Sequence, residues 1–233
     1  MRASVEEGVR TRASRPAIVV VVLEAASVVC LGAAMALYPG GAEHAPHASG
    51  HSFWLNYLCD LSDSVARNGA PNPGAPWARA SMALLLVALA AIFAFAPRAF
   101  GSRALVRLAR AAGALFVAAA LGVPLSGWLG SQVLHDASVL AAGPWGLLAS
   151  AAVVIGLAKR DRARIATALG AFTLAASALG LALYAYCWST GGSTIALPIG
   201  QRIALVSLLA WMLAVALLLA FGSDEPARCP AAG

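Results

Sequence analysis

Residues 16–38 read PAIVVVVLEAASVVCLGAAMALY, and this stretch decides the fold. Glu24 is its one charged residue. At about 1.5 Å of rise per residue the run is long enough to cross a hydrocarbon core of about 30 Å. Inside lipid an unpaired backbone amide costs several kcal/mol, so the run must be a helix. Five more stretches meet the same length: 79–96, 108–130 (interrupted by Pro124), 137–158 (with Pro144 in its first turns), 164–187 and 202–222. The expected fold is all-α, a polytopic six-helix transmembrane bundle forming one domain over residues 1–233. The composition agrees: among 233 residues 61% are hydrophobic, 11% are charged, and the mean hydropathy is +0.80. Soluble domains carry about a quarter charged residues, so soluble, disordered and fibrous classes are excluded.

The net charge is +6. Its basic residues stand in short clusters between apolar runs rather than in one stripe, which argues against nucleic acid as a partner. Arg2, Arg10, Arg12 and Arg15 precede the first span. Arg98, Arg103, Arg107 and Arg110 lie around the second connection, Lys159, Arg160, Arg162 and Arg164 around the fourth, and Arg228 follows the sixth span. Only Arg67, Arg79 and Arg202 fall on the other side. The positive-inside rule then places both termini in the cytoplasm and turns 39–78, 131–136 and 188–201 outward. Ala34-Met35-Ala36 is a signal-peptidase-like triplet, but the apolar run before it exceeds a signal core, so the first helix is expected to be retained. Nine aromatic residues (Tyr38, Trp54, Tyr57, Trp77, Trp128, Trp145, Tyr184, Tyr186 and Trp188) gather at the outward end. They are read as an interfacial belt, with a cleft lining as the alternative.

The outer loop 39–78 is too long for a plain connector and too short for a core of its own. Between 51 and 66 it reads HSFWLNYLCDLSDSVA, with Phe53, Trp54, Tyr57, Leu58 and Leu61 at helical spacing. This predicts a short amphipathic helix in the membrane interface, with Asn56 and Asp60 one turn apart on one face. GAPNPGAP at 69–76 then returns the chain to the membrane. His135 and Asp136 occupy the next outward turn. Asp60, His135, Asn56 and Asp136 are therefore the candidate catalytic groups, with acid–base or metal-activated water chemistry in view. His51, Asp60 and His135 form the candidate ligand set for a divalent metal such as zinc. His44, His47 and His51 are a second possible trio, against which Pro46 and Gly50 count because they break any helix that would align them. The alternative for His135 and Asp136 is a helix cap. Glu24, ionisable and mid-span, is either a proton- or cation-coupling group or a protonated or hydrogen-bonded structural residue, with Ser27 or a Ser or Thr of a neighbouring helix as partner. Cys59 and Cys187 both face outward and admit a disulfide only if adjacent. Cys30 reads as a core residue and Cys229 as a free thiol.

The block His51-Ser52-Phe53-Trp54-Leu55-Asn56-Tyr57-Leu58-Cys59-Asp60-Leu61, followed by Asn72-Pro73 and a new span, resembles the prokaryotic membrane proteins grouped as domain of unknown function 998. Cys59 stands where that family usually has Ser, and Ser62 where it has Gly. The resemblance implies about six helices, a site around Asn56, Asp60 and His135, and no known reaction. The layout is also loosely similar to ceramidase-like membrane hydrolases, whose late paired histidines this chain lacks. The resulting expectation is a multi-pass protein of the bacterial cytoplasmic membrane in contact with the lipid bilayer. Its polar outer-leaflet site would serve a lipid substrate, as a metal-assisted hydrolase or transferase. A small transporter or channel subunit using Glu24, and a non-catalytic scaffold, are the alternatives.

Overall fold

A computed structural model describes the backbone of residues 2–221. Six helices in it are long and apolar enough to cross a membrane, so the chain is a multi-pass, all-α membrane protein. Helix α1 spans Arg2–Leu37, its apolar part running from Arg15 to Leu37. Then come α2 (Ala75–Phe95), α3 (Arg103–Ala120), α4 (Gly122–Leu129), α5 (Gln132–Ala158), α6 (Arg164–Thr190) and α7 (Ala196–Phe221). Cys229 lies outside the described residues.

Several boundaries differ from the hydropathy reading, each for a local reason. The third span is two helices, α3 and α4, broken at Leu121. Pro124 lacks an N–H and its ring crowds the carbonyl four residues back, at Ala120, so the ladder interrupts there. Helix α5 begins at Gln132, earlier than expected, because the Ser131 side chain accepts the Leu134 N–H and starts it. That makes Ser131 the cap, not His135 or Asp136. Helix α7 begins at Ala196, so Arg202 sits two turns inside a span rather than at its edge.

The bundle places α1 against α2 and α7, α3 against α5, and α6 between α5 and α7. Its core runs from Val20 through Ile92, Val153 and Leu157 to Trp211 and Met212, all fully buried. Lipid removes the hydrophobic drive between helices, so close packing must come from small residues. Gly113 shows how: a Cβ there would meet the Phe93 side chain at 2.6 Å. Of the nine outward aromatics, Trp54, Trp77, Trp128, Trp145, Tyr186 and Trp188 are exposed, whereas Tyr38 is buried.

The segment between α1 and α2 caps one end of the bundle, here called the loop face. The expected interfacial α-helix is absent from it. Residues 40–49 form a two-stranded antiparallel hairpin, β1 (Gly40–Ala42) with β2 (Ala45–Ser49). Helical structure in the rest of the loop is one 3-10 turn, Cys59–Ser62. The apolar side chains at helical spacing were outweighed by side chains that take up the backbone N–H groups: Asn56 that of Ser52, Asp60 that of Tyr57 and Gln201 that of Leu58. Gly40 and Gly41 take φ of +136° and +80°. A Cβ on either would come within 2.5 Å of backbone atoms, at Ala48 and Asn68 respectively. Only glycine lets the hairpin and the 65–71 turn approach so closely.

Candidate functional site

The loop is organised around the Asp60 carboxylate, which is 1% exposed. Oδ2 accepts the Tyr57 backbone N–H at 2.9 Å and the Asn56 side-chain amide at 3.2 Å. Oδ1 accepts Arg67 Nε at 2.8 Å. Asn56, fully buried, also donates to Gly41 O at 2.7 Å and accepts the Ser52 N–H at 2.9 Å. The pairing of Asn56 with Asp60 expected from their spacing is therefore present, reached through a turn instead of a helix. Both residues are consumed by structural bonds. Arg67 reaches Glu43 as well, at 3.5 Å, and the Asp60 charge holds its guanidinium firmly protonated against the effect of burial.

Two residues of α7 stitch this loop to the membrane bundle. Arg202, 1% exposed, donates Nε to Phe53 O at 2.7 Å and Nη2 to Asn56 O at 2.9 Å. Its Nη2 also meets His51 Nε2 at 3.3 Å. Gln201 Oε1 accepts the Leu58 N–H at 3.1 Å. Burial first, and then the adjacent Arg202 charge, lowers the His51 pKa to about 4, so this imidazole is neutral at physiological pH. From α2, Arg79 donates to Ser62 O, Ser64 Oγ and Gly127 O, tying the loop to α4. Asn72 donates to Leu61 O and Asp63 O and accepts the Gly74 N–H, which fixes the turn into α2.

A polar cleft of about 510 Å³ opens beside this scaffold, between the loop and the α4–α5 turn. Asp63, Arg67, Ser126 and His135 line it, and Cys59 lies at its inner wall. Ser126 Oγ and His135 Nδ1 are both buried and 3.3 Å apart. In the resting arrangement Ser126 donates to Val123 O at 2.7 Å. Burial raises the Asp63 carboxyl above its ordinary range, opposed by the Arg67 charge, and Asp60 and His135 act on it more weakly. Burial, then the carboxylates of Asp60 and Asp63, pushes the Cys59 thiol up to about 12, so it is a poor nucleophile near neutral pH. Asp136 turns away from the cleft: Tyr184 of α6 donates to it at 2.6 Å, and Gln132, one turn earlier on α5, donates at 2.7 Å.

These positions sort the sequence candidates. Asp60 and His135 share no hydrogen bond, and Asp60 does not line the cleft that His135 faces. The proposed metal set does not converge: His51 is turned to Arg202, Asp60 to Arg67 and His135 to Ser126. Among the described residues, no three His, Cys, Asp or Glu side chains come together as metal ligands. His44 and His47 are exposed on the hairpin, whereas His51 is half-buried beside Arg202. Cys59 and Cys187 are free thiols. Glu24 is buried, and its Oε2 has no hydrogen-bond partner. Ser27, expected beside it, instead exchanges hydrogen bonds with Ser81 of α2.

Sequence reasoning passed over Ser126 and Arg67 as site residues, and treated Arg79 and Arg202 mainly as topology markers. A signal for the arginines existed: they are the three basic residues that break the charge bias. Ser126 offered none, because serine is common in packed membrane helices. Searches of family models, curated proteins and solved structures with this chain found no match.

Proposed function

We propose that this membrane protein binds a lipid at the loop face and acts on its head group or an ester near it, as a hydrolase or transferase. The observation that carries the reading is the position of the cleft. Its polar wall, with Ser126, His135, Asp63 and Arg67, meets an apolar cavity within the spans at Cys59 and His135, which line both. An amphipathic ligand is the chemistry that fits such a junction. In this reaction class Ser126 Oγ would rotate from Val123 O toward His135 Nδ1 and pass its proton to the imidazole while attacking an ester centre. The leaving oxygen would then take that proton. The scattered donor set does not support the metal-assisted variant, so the reading uses no metal. The charge bias supports an outward loop face and cytoplasmic termini. The likeness of residues 51–61 to the domain 998 family supports a bacterial cytoplasmic membrane.

Purified protein incubated with total membrane lipid should release a lipid product, and Ser126→Ala and His135→Gln should each lower turnover by at least about 100-fold. Equal turnover in both variants would remove the catalytic reading and leave lipid binding alone. Glu24 supports a second reading, since an unpartnered carboxylate oxygen among apolar helices is costly and often functional. Proton-linked flux lost in Glu24→Gln but kept in Ser126→Ala would favour transport.

A further inference from the structure

We propose that one acyl chain of the bound lipid enters the bundle from the polar cleft and lies between α5, α6 and α7, with Gly180 and Gly200 keeping its path open and Trp211 ending it. The inference rests on the lipid reading above and adds the ligand's chain class and its length limit.

Below the cleft lies a cavity of about 360 Å³ within the spans. Cys59 and His135 belong to its wall as well as to the cleft; Tyr184 and Gly180 of α6 line it, and so does Gly200 of α7, next to the loop-bonded Gln201. It shares Gly143, Ser177 and Leu181 with a deeper cavity of about 160 Å³ that reaches Gly170 and Trp211. On α6 the path runs from Tyr184 to Gly170, about 21 Å at about 1.5 Å per residue. One leaflet of hydrocarbon is about 15 Å deep. The path is thus long enough for an extended lipid chain and lies at hydrocarbon depth. Water is a poor occupant, because it needs two to four polar partners and the walls are predominantly apolar.

Two glycines distinguish an open path from ordinary close packing. A Cβ on Gly143 would strike Leu181 at 2.6 Å, as in any tight helix crossing. A Cβ on Gly180 or Gly200 would meet nothing within 4 Å. The space beside them is unfilled by protein. At the far end Trp211 is 0% exposed, and its indole N–H has no hydrogen-bond partner although it borders the deeper cavity. Its ring closes the path against α6, where a Gly170 Cβ would lie 2.7 Å from the indole nitrogen.

The test uses the full chain in mild detergent, titrated with saturated single-chain phosphatidylcholines of increasing length and read by native mass spectrometry. Affinity should rise about fourfold per added methylene and level off once the path is full. Gly180→Leu should move the plateau to shorter chains by several carbons and weaken long-chain binding at least tenfold. Trp211→Ala should move it to longer chains. Should Gly180→Leu fail to fold, Gly200→Val provides the same block from α7. A Gly180→Leu protein that folds and binds every length as the parent does would overturn the inference while leaving the lipid reading intact. Binding of no lipid by the parent would overturn both. Recovery of a ring-type or isoprenoid lipid in place of an acyl lipid would overturn the chain class.

Discussion

Arginines at the two ends of this bundle do opposite work. At the end formed by the 96–102 and 159–163 connections, Arg98, Arg103, Arg107, Arg110, Arg160, Arg162 and Arg164 are exposed. Their contacts are slight: Arg110 reaches Ala94 O at 3.3 Å and Arg98 stacks over Phe95. At the loop face, Arg202 is buried against two carbonyls, Arg79 bridges three acceptors and Arg67 pairs with Asp60. Exposed charges of the first kind need no particular partner. Those of the second kind need particular atoms, because a guanidinium taken out of water must recover its hydrogen bonds. One residue type thus stands exposed at one end and forms the hydrogen-bonded frame of the loop at the other.

The strongest way to break this contrast is at Asp60. Asp60→Ala strands the Tyr57 N–H and one of the two Asn56 amide N–H groups, and removes the anion facing Arg67. A loss of about 3 kcal/mol in unfolding free energy is expected from denaturant titration in detergent. An unchanged midpoint would mean that the loop is not organised around this carboxylate. Asn56→Ala removes bonds to Gly41 O, Asp60 and Ser52 N–H and should cost about 2 kcal/mol by the same measurement. Proteolysis of the loop should also speed up in this variant.

Acid should separate the two ends without a mutation. The His51 pKa is about 4 in the folded protein against an ordinary 6.5, so the unfolded chain binds the proton more tightly. The contribution of His51 is therefore complete above about pH 6.5 and is lost as pH falls toward 4. Arg202 adds to this effect, Asp60 opposes it, and the Tyr38 ring packs edge-on to the imidazole. Hydrogen exchange in the 51–58 segment should rise across that range, and His51→Gln should flatten the change. If exchange rises equally in His51→Gln, another group drives it. The smallest effect belongs to the opposite end. Arg103→Gln or Arg107→Gln should change stability by less than about 0.5 kcal/mol. Either would matter instead to insertion orientation, read with a reporter fused to the C-terminus.

Much of the fold was legible from hydropathy, and the reason is physical. A backbone in lipid has to satisfy its own hydrogen bonds, so twenty apolar residues carry enough information to specify a helix. The six spans follow from that rule, although their ends do not. Ser131 starts the fourth span through a single bond and Pro124 breaks the third by lacking an N–H, details that hydropathy averages away. The loop was misread in form because its spacing suggested an amphipathic helix. Its backbone donors are instead held by Asn56, Asp60 and Gln201.

The loop-face scaffold shows the limit of one-dimensional reading. Asn56 and Asp60 stand four residues apart, and their contact could be anticipated from spacing. Arg202 reaches Asn56 across 146 residues, and Arg79 reaches Gly127 across 48. Ser126 and His135 are closer in sequence, but an intervening αL glycine, Gly130, turns the chain between them. The sequence alone determined the solvent of this protein and the number of its spans, because transfer of apolar surface is a local and additive property. Which polar groups share a cleft, and which are used up as scaffold, was decided by the tertiary structure alone. A buried donor or acceptor takes whatever partner the packed helices bring within about 3 Å.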